Sequence, residues 1–245
     1  RCYMKIFKTF ESFLQEGVND PGILKAFFMA GGPGSGKSYV AGELFSLPKD
    51  SSASVSYDLG LKLVNSDAAF ELLLKKANID MAQLMVIKDK DPAAWQDAMQ
   101  IRDKAKKITK GTQKMYIQGR LGMVIDGTGK NYKKIEGQVK ELRELGYDCY
   151  MVFVNTSKEV ALDRNNARAR KLPEDMVTKM WQEVQDNLGK FQRLFKAKRF
   201  EIVDNSVYGD TTPTDLVGKE IRKFMKQPVS NPIGKEWVQV QKNNR

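Results

Sequence analysis

Short apolar runs alternate along the chain with longer segments in which apolar residues recur every three or four positions. Runs at 25–30, 61–65, 122–126, 150–154 and 200–204 have the length and composition of buried strands. The intervening segments have the spacing of amphipathic helices and cover 38–45, 68–77, 80–119, 130–145, 157–168, 173 to about 196, and 214–225. Strands that alternate with helices predict a three-layer α/β fold around a central parallel five-stranded sheet.

The remaining segments complete the predicted organisation. An amphipathic helix is expected over 6–16, and a polar loop over 48–54. The helical segment at about 78–119 is longer than an ordinary crossover, so we expect a helical insertion near an acceptor site. We predict one domain over 1–226, followed by a polar C-terminal tail over 227–245.

The segment after the first predicted strand matches the phosphate-binding pattern G-x-x-x-x-G-K-[ST] in full. Its members are Gly31, Gly32, Pro33, Gly34, Ser35, Gly36, Lys37 and Ser38, and Tyr39 follows them at the start of a predicted helix. Glycines allow the backbone N–H groups to wrap a phosphate chain, and the helix N-terminus favours the anion. In this pattern the lysine reaches the β- and γ-phosphates and the serine hydroxyl ligates Mg²⁺. The sequence therefore predicts binding of a nucleoside triphosphate, with ATP and Mg²⁺ as cofactors.

Composition narrows the chemistry further. The 245 residues include no histidine, which excludes Ser-His pairs and histidine general bases, so a base must be Asp, Glu, Lys or Tyr. The net charge of +11 favours anionic ligands, although ordinary solvated lysines explain much of it. The two cysteines, Cys2 and Cys149, suit a reducing cytoplasm, and no apolar run is long enough to span a membrane.

Two aspartates follow predicted strands on the sheet edge where the phosphate-binding loop lies. Asp67, about 30 residues after the loop, is the first choice for the base that accepts an acceptor hydroxyl's proton; the alternative is a helix N-cap. Asp126 is expected to hold Mg²⁺ or to contact the acceptor; the alternative is a simple turn residue. The turn after Asp126 contains Thr128 and lets a substrate approach closely.

A basic stretch later in the chain carries Arg164, Arg168 and Arg170. Arg164 and Arg168 are four residues apart and therefore share a helical face. Alone, such a stretch is usually a solvated face. After a phosphate-binding loop, a lid over about 164–175 that neutralises charge during transfer is the better interpretation.

Five motifs in this order resemble the zeta-toxin and polynucleotide-kinase branch of the P-loop kinases. They are the loop Gly31–Ser38, then 64–67, 125–128, 164–173 and 203–205, and their order and spacing agree from about 25 to 205, which is most of the chain. The resemblance implies transfer of phosphate from ATP to a hydroxyl. It makes Asp67 the base, Lys37 and Ser38 the ATP–Mg²⁺ anchors, and Arg168 the leading lid arginine, with Arg164 and Arg170 secondary. Zeta toxins often carry an acidic residue and paired threonines after the third strand, and here the residues are Asp126, Gly127 and Thr128.

Several alternatives stay open at the level of sequence. The acceptor is a nucleotide sugar or another small alcohol, as in zeta toxins, or a polynucleotide 5′-hydroxyl. A nucleotide-binding structural module with little turnover is the alternative of another class, with an antitoxin or a virion component as partner. The opening residues weakly suggest a phage origin, and thus a host cytoplasm or a virion. The basic stretch 190–199 either contacts nucleic acid or packs as an amphipathic helix.

Overall fold

The computed structural model describes residues 18–47, 59–81, 84–168 and 171–244. The predicted helix at 6–16, the predicted loop at 48–54, and Arg170 lie outside the described residues. Within the described ranges, no helix is both long enough and apolar enough to cross a membrane.

A five-stranded parallel sheet forms the centre of the fold, as predicted. Its strands are β1 (Lys25–Ala30), β2 (Lys62–Val64), β3 (Met123–Asp126), β4 (Asp148–Asn155) and β5 (Phe200–Asp204). Their order across the sheet is β2-β3-β1-β4-β5, and all pairings are parallel. The carboxyl ends of β1 and β3 lie side by side, because Met29 is in register with Asp126. The phosphate-binding loop after β1 and Asp126 at the end of β3 therefore meet at one edge of the sheet.

The helices connect the strands and cover both faces of the sheet. They are α1 (Lys37–Phe45), α2 (Ser66–Lys76), α3 (Leu84–Lys90), α4 (Pro92–Gln118), α5 (Tyr132–Glu144), α6 (Lys158–Asn166), α7 (Glu174–Gln185), α8 (Leu188–Phe195), α9 (Thr212–Lys226) and α10 (Pro232–Asn243). The predicted long helical segment after β2 is thus formed by α3 and α4; its role as an insertion near the acceptor stays a prediction.

The apolar residues of the central strands separate into two core layers. In β1, Phe27 and Met29 pack with α1 and α9 on one face, whereas Ala26 and Phe28 pack with α5 and α8 on the other. This two-sided burial explains why β1 and β4 are continuous apolar runs rather than alternating patterns. A third, smaller cluster joins α2 to α4.

Two sequence predictions about helices are wrong in detail. The helix predicted from Pro173 to about 196 is interrupted after α7, where the buried Asn187 donates hydrogen bonds to Gly129 O (3.1 Å) and Lys130 O (2.9 Å). These long-range bonds favour a break that the local periodicity does not reveal. In α8, Phe191 and Phe195 are buried, so the apolar side of the basic stretch packs in the core.

The second difference is at the C-terminus, where the predicted polar tail contains α10. Asn231 caps this helix by accepting a hydrogen bond from Ile233 N, and Pro232 occupies its first turn. The partly buried Trp237 packs against the core. Asp148 at the start of β4 holds the preceding segment, because its carboxylate accepts hydrogen bonds from Ser230 N and Oγ, both at 2.7 Å. Tertiary packing therefore orders a segment whose composition is largely polar.

Helix α5 ends close to the predicted boundary at 145, with Gly146 just past the C-cap. Gly146 has φ +93°, and Gly146 N and Tyr147 N donate to Arg143 O and Leu142 O, which is a Schellman arrangement. The backbone of Gly234 in α10 crosses directly over it: a Cβ on Gly146 would lie 2.7 Å from Gly234 N. The two glycines bring the backbones of these segments into direct contact.

A buried lysine lies at the amino-terminal end of β1, whereas the phosphate-binding loop follows the carboxyl end of that strand. Lys25 is 1% exposed, and its Nζ donates to Phe224 O (3.0 Å) and Gln227 O (2.7 Å) at the end of α9. Burial lowers the pKa of Lys25 to about 8, although the nearby Asp148 carboxylate opposes that shift. Lys25 therefore ties β1 to α9 with an ammonium group that loses its proton unusually easily.

Candidate active site

The loop between β1 and α1 has the backbone geometry that the sequence motif requires. Gly34 and Gly36 have φ of +76° and +78°, in the left-handed region. The loop is held by hydrogen bonds from Ser35 N to Gly32 O (3.2 Å) and from Gly31 N to Thr128 O (3.1 Å). The N-cap of α1 is Gly36, and no side chain among the described residues caps this helix. The N–H groups of its first turn are therefore left to an anion.

The loop is closely enclosed by the segments that follow β4 and β5. A Cβ on Gly34 would overlap the backbone of Ala161 in α6, and one on Gly36 would overlap the side-chain amide of Asn205. Asn205 Nδ2 donates a hydrogen bond to Ser35 O (2.8 Å). The Ser35 hydroxyl is buried and lacks a hydrogen-bond partner within the described part of the chain. The loop thus has a fixed shape and retains an unsatisfied polar group.

A continuous polar chain links the loop to the end of β2. Lys37 Nζ lies 2.6 Å from Asp126 Oδ1, and these side chains are only 15% and 11% exposed. Asn65 Nδ2 donates to Asp126 Oδ2 (2.8 Å), while Asn65 Oδ1 accepts from Asp67 N (2.7 Å). One carboxamide therefore joins the two aspartates that sequence analysis selected.

Asp67 lies in the first turn of α2, with 68% of its side chain exposed. The N-cap of α2 is Asn65, so the alternative interpretation of Asp67 as a helix cap does not describe this structure. Its Oδ1 forms an ion pair with Arg102 Nη1 of α4 at 2.8 Å. The carboxylate is accessible to an acceptor and is oriented by one arginine; its role as a base stays a prediction.

The predicted lid arginines occupy different environments. Arg164 in α6 is partly buried, and its Nη1 lies 3.4 Å from Gly34 O and 3.5 Å from Ser35 O, at the long limit for hydrogen bonds. Its guanidinium also lies over the Tyr208 ring, 4.7 Å from the centroid. Arg168 follows α6 and is exposed. The sequence ranked Arg168 first, whereas the structure brings Arg164 to the loop.

Two carboxamides at the end of α6 form hydrogen bonds with residues at the start of α7 and just before it. Asn165 is 1% exposed, and its side chain forms hydrogen bonds with both Leu172 N (3.0 Å) and Leu172 O (2.9 Å). Asn166 Nδ2 also donates to Glu174 Oε1 at 2.8 Å. These bonds anchor the two ends of the predicted lid.

Several residues near the loop were not assigned a role from the sequence. Asn65 ends one predicted strand and Asn205 directly follows another, and these positions in the sequence could have marked them as site candidates. The residues that they contact are determined only by the folded sheet. Trp181 of α7 had no signal: it packs against Gly32, and its Nε1 donates to Thr156 O at 2.9 Å. Arg102 likewise belongs to a helix whose position the sequence does not specify.

The donor set fits a nucleoside triphosphate with Mg²⁺. The uncapped helix N-terminus, Lys37 and the unsatisfied Ser35 hydroxyl suit phosphate oxygens. The exposed Ser38 and the carboxylate of Asp126 supply oxygen ligands of the kind that Mg²⁺ takes. Within the described ranges, no group of three or more His, Cys, Asp or Glu side chains is placed to hold a metal. Ser38 and Asp126 would therefore share the ion with phosphate oxygens and water.

A family model matches more than half of the chain. The AAA_33 family model, described as an AAA domain, matches residues 27–191. No curated protein sequence matches the chain.

Solved structures with a similar fold include three of relevance. A proposed kinase from Chloroflexus aurantiacus has a TM-score of 0.50 at 11% identity, covering 84% of this chain and 98% of its own. A structure of the PezAT toxin–antitoxin system of Streptococcus pneumoniae has a TM-score of 0.53 at 14% identity, covering 98% and 92%. The AvrRxo1-ORF1:AvrRxo1-ORF2 complex has a TM-score of 0.52 at 13% identity, covering 78% and 61%. At these identities the similarity shows the fold alone, which is that of a P-loop kinase.

Proposed function

Because the chain belongs to the AAA_33 family of AAA domains, with a P-loop kinase fold, we propose that it is a Mg-ATP-dependent phosphotransferase acting on a hydroxyl acceptor. The observation that carries the proposal is the polar chain from Lys37 through Asp126 and Asn65 to Asp67. It connects the phosphate-binding loop to an exposed carboxylate at the same edge of the sheet. A site for phosphoryl transfer needs these two groups close together.

The chain's own residues divide the work as follows. The loop Gly31–Ser38 binds the phosphates of ATP, and Tyr39 lies in the first turn of α1 directly after it. Lys37 leaves Asp126 to neutralise the β- and γ-phosphate charge, which frees the carboxylate for metal binding. Ser38 and Asp126 hold Mg²⁺, which when bound offsets the negative charge on the transferred group.

Asp67 and Thr128 serve the acceptor in this proposal. The Asp67 carboxylate accepts the proton of the attacking hydroxyl, and Arg102 fixes its orientation through the ion pair at 2.8 Å. Thr128 lies against the loop, because its carbonyl accepts a hydrogen bond from Gly31 N. Arg164 closes over the loop carbonyls, and Arg168 and Arg170 add positive charge at the lid.

Two acceptor classes are tested under this function. The motif resemblance to zeta toxins favours a nucleotide sugar or another small alcohol, with an antitoxin as a proposed partner. A polynucleotide 5′-hydroxyl is favoured by the excess of basic residues on α4. Localisation in the cytoplasm or in a virion stays a prediction.

The test is transfer of label from γ-labelled ATP to a UDP-amino-sugar panel and to a 5′-hydroxyl oligonucleotide. Asp67→Asn is compared with Asp103→Asn, because Asp103 is also 68% exposed and also pairs with a basic residue of α4, at 3.0 Å. We expect transfer that requires Mg²⁺ and is lost only in Asp67→Asn. ATP that binds and stays intact with every acceptor would refute the proposal and favour the structural module.

A further inference from the structure

Helix α4 carries an unusually one-sided charge. Its 27 residues include six basic residues and two acidic ones. Four of the basic residues, Arg102, Lys106, Lys110 and Lys114, are each four positions apart and form one row along the helix surface. We name these four residues the basic row. At a rise of about 1.5 Å per residue, the basic row extends about 18 Å.

Most of this charge is not neutralised by neighbouring carboxylates. Arg102 pairs with Asp67, and Lys106 pairs with Asp103. Lys110 and Lys114 are exposed, and no salt bridge involves them within 18–47, 59–81, 84–168 and 171–244. The same holds for Lys104 and Lys107, which are also exposed and flank the basic row. Like charges four residues apart destabilise a helix, so the arrangement has a cost that an anionic ligand would offset.

The basic row begins at the candidate active site. Arg102 contacts the Asp67 carboxylate, and Asp67 is joined through Asn65 to Asp126 and Lys37. The three lysines continue from that contact toward the C-terminal end of α4. A strand whose phosphates follow the basic row would have its terminal sugar beside Asp67.

We infer that α4 binds the phosphate backbone of a single-stranded nucleic acid, whose 5′-hydroxyl is the acceptor. This inference rests on the proposed phosphotransferase function and specifies its substrate class. In the transfer, the 5′-oxygen forms a bond to the γ-phosphorus, the bond from that phosphorus to the bridging oxygen of ADP breaks, and the hydroxyl proton passes to Asp67.

An acidic polypeptide is the competing partner, and the character of the surface argues against it. Protein interfaces are depleted in lysine and rely on buried apolar and aromatic anchors. The side chains of the basic row are cationic throughout, and nucleic-acid interfaces are much more positively charged than those between proteins. The other basic stretch, 190–199, uses its apolar side for core packing through Phe191 and Phe195.

The experiment measures binding of a fluorescein-labelled single strand of about twenty nucleotides by anisotropy without ATP, between about 50 and 200 mM salt. Four contacts on a single strand predict a slope of about −3 for log K against log salt. Lys106→Gln/Lys110→Gln/Lys114→Gln should make the slope shallower by about 2 and weaken binding about tenfold or more. The matched control is Lys219→Gln/Lys223→Gln/Lys226→Gln on α9, which packs by β5 at the opposite edge of the sheet.

Each outcome decides the inference. Loss of binding in the α4 variant but not in the α9 variant supports it, as does label transfer to the strand that the α4 variant loses. Equal loss in both variants, or no binding at the lower salt concentration, overturns it. Equal affinity for poly-glutamate also overturns it and favours an acidic protein partner. If the protein binds the oligonucleotide but transfers label to no acceptor, the proposed function is refuted and the nucleic-acid surface on α4 stands. If it transfers label to a small alcohol but does not bind the oligonucleotide, the proposed function stands and the nucleic-acid surface is refuted.

Discussion

Substitution of Gly34 by alanine is the most demanding test of the loop geometry. Gly34 has φ +76°, and its Cα faces the backbone of α6. An added Cβ would lie 2.8 Å from Ala161 Cα and 2.9 Å from Ala161 C, closer than such atoms come in folded proteins. Because the neighbouring atoms are backbone, no side-chain rotation relieves the overlap.

The magnitude follows from two contributions. A non-glycine residue in the left-handed region costs roughly 1–2 kcal/mol. Displacing a packed helix to admit one methyl group adds about 1–3 kcal/mol, and the reduced entropy of the unfolded chain returns about 0.5–1 kcal/mol. We therefore expect Gly34→Ala to lower the free energy of unfolding by about 1–4.5 kcal/mol, which leaves a domain of ordinary stability folded.

The assays are urea unfolding without nucleotide and equilibrium binding of ATP. The matched control is Gly137→Ala in α5, where a Cβ meets nothing within 4 Å. Alanine in a helix interior is favoured over glycine by up to about 1 kcal/mol, so the control should be as stable as the wild type or more so. Gly34→Ala should also lose ATP binding because the loop or α6 must move. A variant with wild-type stability and ATP affinity would refute the description of the loop as a fixed, fully packed shape.

Three further perturbations test other parts of the structure. Asp126→Asn leaves Lys37 without its counter-charge in a mostly buried site. The free energy of unfolding, measured by urea without nucleotide, should therefore fall by about 1–3 kcal/mol. An unchanged free energy of unfolding would contradict the ion pair. Lys25→Met tests the lowered lysine pKa: between pH about 8 and about 10.5 the unfolded lysine keeps a proton that the folded one has lost, so wild-type stability should rise with pH relative to the variant. A pH-independent difference in urea unfolding would argue against that pKa. Asn165→Leu has a similar volume but removes both hydrogen bonds to Leu172, and calorimetry should show about 2–4 kcal/mol of destabilisation. Asn166→Leu, at the exposed neighbour that bonds Glu174, should lose less.

The sequence predicted the parts of this fold that depend on local pattern. The five apolar runs form five parallel strands, and the glycine-rich motif forms a loop between β1 and α1. Both could be predicted because a buried strand requires apolar residues and this loop conformation requires glycines. The boundary errors have a common origin. Asn187 interrupts a helix through bonds to residues 129 and 130, which are close only in the folded chain.

Some residues of the candidate site were likewise predicted from the sequence, and others were not. Lys37 and Asp126 form an ion pair at the sheet edge, where the sequence placed both. Asn65 was overlooked, although its neighbour Asp67 was selected, because a carboxamide is recognisable as a link only when both partners are located. The ranking of Arg168 above Arg164 could not be settled from spacing. The predicted helix ran to 168 and put both arginines on one face, whereas α6 ends at Asn166, so only Arg164 lies on the helix beside the loop.

The crossing of α10 over the end of α5 constrains how this protein can vary in evolution. Gly146 and Gly234 touch backbone to backbone, so a larger residue at either position collides with the backbone of the other segment, and no exchange of a side chain relieves that overlap. A larger residue at one position cannot be compensated by a smaller residue at the other, because glycine is already the smallest residue. Relatives that retain the C-terminal helix should therefore keep both glycines together, whereas relatives without it should keep only the requirement that the positive φ sets at position 146.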